Sequence, residues 1–202
     1  MIPNPETNHV RLKTVLYTHH QPVLSEIFAY SSRALPGLEI LMPSQIGRTI
    51  KEKLIYTLKA NNLIIPHRRY VICWDYSRHH VVGQWDQRDL SWFELPCLLL
   101  LLELAQILPL KNTEQCLAVG KIQLDGKIFF PEKFSETVRQ LGESFPDKMN
   151  ELSIISNREN FELLSGHRQF LIEDLLSNIK RPSIINQEQN LRQLSQSSRI
   201  LR

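Results

Sequence analysis

Residues 93–130 read FELPCLLLLLELAQILPLKNTEQCLAVGKIQLDGKIFF, and the fold turns on how this stretch divides. Every residue from Leu98 to Leu102 is leucine and Glu103 follows, so the apolar run is far shorter than the ~20 residues of a membrane span. Leucine is a strong helix former without β-branching, and Pro96 fits a first helical turn, where its missing N–H costs nothing. The first part is therefore expected to be a helix that is apolar all round, enclosed by other elements and closed by Pro109. Beyond a polar linker at Lys111 to Glu114, Val119, Ile122, Leu124 and Ile128 flank Asp125-Gly126. That pair favours a tight turn, so LAVGKIQLDGKIFF is expected to be a strand pair.

Upstream of this core, Val10, Leu12, Thr14 and Leu16 alternate with Arg11, Lys13 and Val15, the period of a strand with one wet face. PVLSEIFAY and GLEILM read as two more strands, separated by a turn at Leu35-Pro36-Gly37. Ile46, Ile50, Leu54 and Leu58 recur at i+4, with Arg48, Lys51, Lys53 and Lys59 on other faces: an amphipathic helix ended by Asn61-Asn62. YVICWD is a fourth strand. Residues 76–92 carry no clean period and read as a long loop, of a length that is often functional. Downstream, Phe134, Val138, Leu141 and Phe145 mark another helix, ELSIIS a strand and NRENFELL a short helix. A last helix is expected over about 168–180, buried through Phe170, Leu171, Leu175 and Ile179. The order βββαβ, loop, α, ββ, α, β, α predicts an α/β or α+β sandwich, a mixed sheet with helices packed on it. Residues 1–9 read as a flexible lead, 10–181 as one domain and 182–202 as a polar tail.

The chain of 202 residues carries a net charge of +3 and a pI near 8.8, a mild bias compatible with an anionic partner such as nucleic acid. Cys73, Cys97 and Cys116 are odd in number and set among apolar residues, which points to reduced thiols in the cytoplasm rather than a disulfide framework. No basic start followed by an apolar run marks a signal peptide, and no membrane contact is expected.

Four motifs occur in one order: ALPGLEI before a basic helix, IPHRRYVI, FELPCLLLLLELA and AVGKIQLDGKI. With their spacings they resemble the N-terminal domain of magnesium-chelatase-like AAA+ proteins of the competence protein ComM type. The resemblance covers roughly 10–181. It implies a fold similar to the second domain of ribosomal protein S5 and to the proteolytic domain of Lon. It also implies a role in DNA processing during transformation or recombination, with DNA, a separate AAA+ ATPase subunit or further copies of the chain as partners. Such proteins continue into an ATPase domain. This chain has no GxxxxGK[ST] loop to cradle a nucleotide, so no cofactor and no ATP hydrolysis are expected of it. The Asp75–Trp92 loop lacks the family's Asn-Leu-Ala-Pro-Ala-Asp pattern, and Lys121 stands where the family's hairpin has Glu. A truncated or split remnant acting through protein contacts is the alternative implied by the missing half.

The same likeness puts Cys97 at the protease's nucleophile position, with Lys133 as its conceivable partner. The leucines that follow Cys97 argue instead for a buried structural thiol. The adjacent pairs His19-His20 and His79-His80 diverge on a strand and lack further ligands at metal-site spacing, so they read as surface histidines. Glu103 reads as a helix edge reaching solvent or as a cap. The strongest binding signal is basic. Arg48, Lys51, Lys53 and Lys59 of the first helix are expected to join His67, Arg68 and Arg69, and Arg78, Trp85 and Arg88 of the long loop add a ring among cations. Phosphate neutralisation with base stacking holds single strands in this way. The plain alternative is a set of solvated charges on a helix face interspersed with Glu52.

Overall fold

In the computed structural model, described residues are 8–17, 22–43, 45–74, 87–108, 110, 112–123, 125–177 and 179. The strands are β1 (Asn8–Tyr17), β2 (Pro22–Ser32), β3 (Gly37–Leu41), β4 (Arg69–Trp74), β5 (Cys116–Leu117), β6 (Lys121–Ile122), β7 (Ile128–Phe129), β8 (Ser153–Ser156) and β9 (Arg168–Leu171). The helices are α1 (Ile46–Ala60), α2 (Gln87–Leu90), α3 (Glu94–Leu104), α4 (Phe134–Ser144), α5 (Pro146–Asn150), α6 (Arg158–Phe161) and α7 (Ile172–Ser177). Seven strands form one mixed sheet in the order β3-β4-β2-β1-β5-β8-β9, and β6 and β7 form a separate hairpin. The expected α/β class, a mixed sheet with helices packed on it, is the one observed.

α3 lies against β1, β2 and β4, with α1 and β6 as its other neighbours. It is enclosed on all sides, which is why Leu98 through Leu102 are all buried and no polar stripe exists along it. Pro109 does not close this helix. The chain leaves helical geometry at Gln106 (φ 57°), and Ile107 N–H donates to the Leu102 carbonyl at 3.0 Å, a left-handed C-terminal cap. Glu103 caps the next turn by accepting the N–H of Leu110, one of its two expected roles.

The hairpin forms where Asp125-Gly126 places it. Gly126 takes φ +87°, and Asp125 Oδ1 accepts the Lys127 N–H at 3.0 Å. Leu117, assigned by its sequence to that hairpin, instead joins the main sheet in β5, parallel to both β1 and β8. α1 buries Ile46, Ile50, Leu54 and Leu58 as expected, and Asn61 ends it by donating Nδ2 to the Thr57 carbonyl at 2.9 Å.

Three further expectations are corrected. Asn8 and His9 belong to β1 and not to a flexible lead, because they pair with Ser31 and Tyr30 of β2. The end of the loop over 76–92 is helical: Gln87–Leu90 and a tight turn at Ser91–Phe93 bring Leu90 and Phe93 into the core. The helix expected over 168–180 is a strand followed by a short helix. Arg168–Leu171 pairs parallel to β8, and Phe170 remains 43% exposed instead of entering the core. The physical reason is Gln169. Its amide donates to the carbonyls of Phe161 and Leu164 at 3.0 and 2.8 Å and accepts from the Ser156 hydroxyl at 3.0 Å. Those bonds are made from an extended edge strand. The tail at 182–202 and the residues before 8 lie outside the described residues.

Candidate nucleic-acid interface

Sheet register determines which side chains share a face. On one face the rows are Leu12–Ile27–Trp74 and Val10–Ala29–Ile72–Ile40. The Trp74 ring meets Phe93 edge-on at 5.1 Å, which marks this as the face under α3. The opposite face carries Arg11–Phe28–Cys73–Leu41 and His9–Tyr30–Val71–Glu39.

The basic residues do not form one patch. β3 and β4 run parallel, so α1 returns along them and leaves Lys59 beside the start of β4, where Arg68 and Arg69 sit. Arg48 and Lys51 lie in the first turns of α1, roughly 16 and 12 Å away along its axis at ~1.5 Å per residue. Several of the cations are already neutralised. Arg48 pairs with Glu52 at 2.9 Å on the exposed side of α1. Arg69 grips both oxygens of Glu39, at 3.1 and 2.9 Å. Hydrogen bonding to Glu39 is the main cause that raises the Arg69 pKa, and the Tyr30 hydroxyl adds a smaller electrostatic contribution that places it nearby. Lys53 leaves the patch altogether, turning inward to Glu94. Lys51, Lys59 and Arg68 make no ion pair with a carboxylate among the described residues. Arg78 and Trp85 lie outside the described residues; Arg88 belongs to α2, and its side chain lies outside them too.

The structure adds a residue that sequence reasoning missed. Ser32 pairs with Arg69 in the antiparallel β2–β4 ladder. Arg33 and Arg68 are the next residues beyond the end of that ladder, both in bends. Arg33 sits in a turn of Ser, Ala, Leu, Pro and Gly, and no periodicity links it to residue 68. The β2–β4 register alone brings them together. Lys59, His67, Arg68, Arg69 and Arg33 therefore share one end of the sheet, separate from Arg48 and Lys51.

Cys97 is fully buried in α3, and Lys133 is exposed at the start of α4. Burial pushes the Cys97 thiol pKa up, and the nearby Glu94 carboxylate pushes it further, so the thiolate that a nucleophile needs is disfavoured. Cys116 is also buried, and its thiol is pushed up to about 11 by burial and then by Glu103. The two adjacent histidine pairs lie outside the described residues. Among the described residues, no three His, Cys, Asp or Glu side chains are grouped to hold a metal ion. No described helix is long and apolar enough to cross a membrane. No family model matches the chain, and no curated protein matches it in sequence.

Proposed function

We propose that this chain is a non-catalytic binding module for nucleic acid, similar in kind to the N-terminal module of ComM-type proteins, with the basic end of the sheet as its contact. The observation that carries this reading is the gathering of Lys59, His67 and Arg68 at the end of the sheet where β4 begins, with Lys59 and Arg68 making no ion pair with a carboxylate among the described residues. Cations gathered at one end of a sheet repel one another, and an anion bound among them relieves that repulsion. A phosphate backbone supplies a row of such anions, and each neutralised phosphate releases counterions. Arg48 and Lys51 sit at the far end of α1 and belong to a solvated helix face in this reading. By its resemblance, the module serves DNA processing alongside a separately supplied ATPase. The three free cysteines support a reducing, cytoplasmic setting.

The test is fluorescence anisotropy of labelled single-stranded and duplex DNA against the full chain over a salt series. Binding is expected to weaken steeply with salt. Lys59→Ala/Arg68→Ala is expected to weaken it further and to lower the salt slope by about 1 to 2, the value for two lost phosphate contacts. Arg48→Ala/Lys51→Ala is expected to change little. No saturable binding at low salt overturns the reading.

A further inference from the structure

The connection from β2 to β3 is an arch across the entry of β4. Ser32, the last residue of β2, pairs with Arg69 from one side, and Gly37, the first of β3, pairs with the same Arg69 from the other. Neighbouring strands lie ~4.8 Å apart, so the segment from Arg33 to Pro36 spans roughly 10 Å, past the chain that enters β4 at His67 and Arg68. Both feet of the arch are fixed. The Gly37 N–H donates to the Arg68 carbonyl at 3.1 Å, and the β2–β4 ladder runs through Ser32. Pro36 locks its own φ and keeps Leu35 out of helical geometry. The apex, Ala34-Leu35-Pro36, is apolar, and Leu35 is 88% exposed, more than any other large hydrophobic side chain among the described residues. A leucine so placed adds nothing to the core. Its neighbours are the cations of the basic end: Arg68 at the foot of the arch, His67 before it, and Lys59 in the last turn of α1.

We propose that Leu35 is an apolar wedge for duplex DNA, entering a base step from the minor groove while Lys59, His67 and Arg68 hold the flanking phosphates. The inference rests on the nucleic-acid reading above and specifies the form of its ligand, a duplex that kinks. Cations alone position a protein on the backbone and ask no deformation of it. An aliphatic side chain fixed between them does: it prises two base pairs apart, and burial of the leucine with closer approach of the cations offsets the lost stacking. A held arch suits this role, because a mobile side chain would fold back rather than enter the stack. Pyrimidine–purine steps such as TA and CA/TG unstack most easily, so affinity is expected to follow those steps without any hydrogen bond to a base.

The experiment measures energy transfer between dyes at the two ends of a duplex of about 20 base pairs with a central TA step, titrated with the full chain. Binding is expected to raise the transfer, as a kink of about 20° to 90° brings the ends together. Leu35→Ser is expected to abolish that rise and to lower affinity by about 10- to 100-fold, the worth of burying a leucine side chain. Its salt slope is expected to match the parent's, since no phosphate contact is lost. Leu35→Met keeps an apolar wedge and is expected to keep the kink. Leu41→Ser, at the other end of β3 and 55% exposed in the parent, controls for a general loss of apolar surface and is expected to change neither readout. Equal urea midpoints of the parent and Leu35→Ser are expected, because so exposed a side chain carries little of the fold.

If the duplex binds but stays straight, or if Leu35→Ser binds and kinks it as the parent does, the wedge is overturned and the nucleic-acid reading stands on the cations. If neither duplex nor single strand binds at low salt, both are overturned. Binding to phosphatidylserine vesicles that is lost in Leu35→Ser, with the duplex left straight, would assign the apex to a lipid surface and would likewise overturn the wedge.

Discussion

The Lys53 ammonium donates to both oxygens of the Glu94 carboxylate, at 2.9 and 2.7 Å, and Glu94 Oε2 also accepts the Ile122 backbone N–H at 2.7 Å. One carboxylate, 5% exposed, therefore fastens α1, the first turn of α3 and the β6–β7 hairpin together. Removing one partner of such a pair leaves the other charge buried, and the cost depends on which charge remains. Lys53 is 25% exposed and its long stem reaches water when Glu94 is neutralised. Glu94 has no such escape. Lys53→Met is therefore expected to cost about 3 kcal/mol, near the lower end for breaking a buried pair. Glu94→Gln still offers an acceptor to Ile122 and is expected to cost about 1 to 2 kcal/mol. Urea midpoints of the two variants check the ranking; equal losses would contradict it.

Gly47 sits in the first turn of α1 where the helix backbone touches β3. A Cβ at this position would lie 2.5 Å from the Ile40 carbonyl oxygen, which is backbone and cannot swing away. Helix propensity alone favours alanine over glycine by about 1 kcal/mol. Here the steric term wins, and Gly47→Ala is expected to destabilise by about 1 to 3 kcal/mol. Gly142 in α4 is the internal control, since a Cβ there meets nothing within 4 Å. Gly142→Ala is expected to stabilise by roughly 0.5 to 1 kcal/mol. Opposite signs in thermal melts of the two variants are the expected result.

The legibility of this chain follows from the range of the interactions involved. α1 and α3 can be read from the sequence because a helix is a local object: i+4 apolar spacing identifies one and an unbroken leucine run the other. The Asp125-Gly126 turn is equally local. β9 is hidden in the sequence because Phe170 and Leu171 look like core residues of a helix. Only the distant partners of Gln169, in β8 and after α6, draw that segment into the sheet. β2 conceals its facing for a different reason. Its inward residues include Ser25 and Ser31, while Phe28 and Tyr30 face outward, the reverse of the usual polarity. Ser25 is tolerated inside because its hydroxyl accepts the Trp74 indole N–H at 2.7 Å, a contact 49 residues away in sequence. The basic patch was half legible. Arg68 and Arg69 were found from their motif, but Arg33 required the β2–β4 register, and Lys53 was assigned to the surface when it lies against Glu94.

Cysteine reactivity should report the layering directly. Cys73 lies half-buried on the open sheet face, with its thiol pKa raised by partial burial and then by Glu39. Cys97 and Cys116 are enclosed and pushed up further. Thiol alkylation of the native protein is expected to modify Cys73 slowly and to spare the other two until denaturant is added. Peptide mass mapping over time reads this order. Early modification of Cys97 would mean an accessible nucleophile and would revive a catalytic role for α3.

Tyr17 makes the fold sensitive to alkali in a predictable direction. It ends β1 with its ring 6.3 Å from that of Trp92, and burial pushes its pKa up from 10 to about 12. The unfolded phenol ionises first, near pH 10, while the folded one holds its proton. The contribution is therefore fully present below pH 10 and is lost as the pH rises through about 12. A shift of this size corresponds to about 2 to 3 kcal/mol lost across that window. Tyr17→Phe keeps the ring against Trp92 and removes the ionisation. Its urea midpoint is expected to fall less than that of the parent between pH 10 and pH 12, while tyrosinate absorbance of the folded parent should show one phenol titrating late. Parallel decline of the two proteins would mean that another group governs alkaline unfolding.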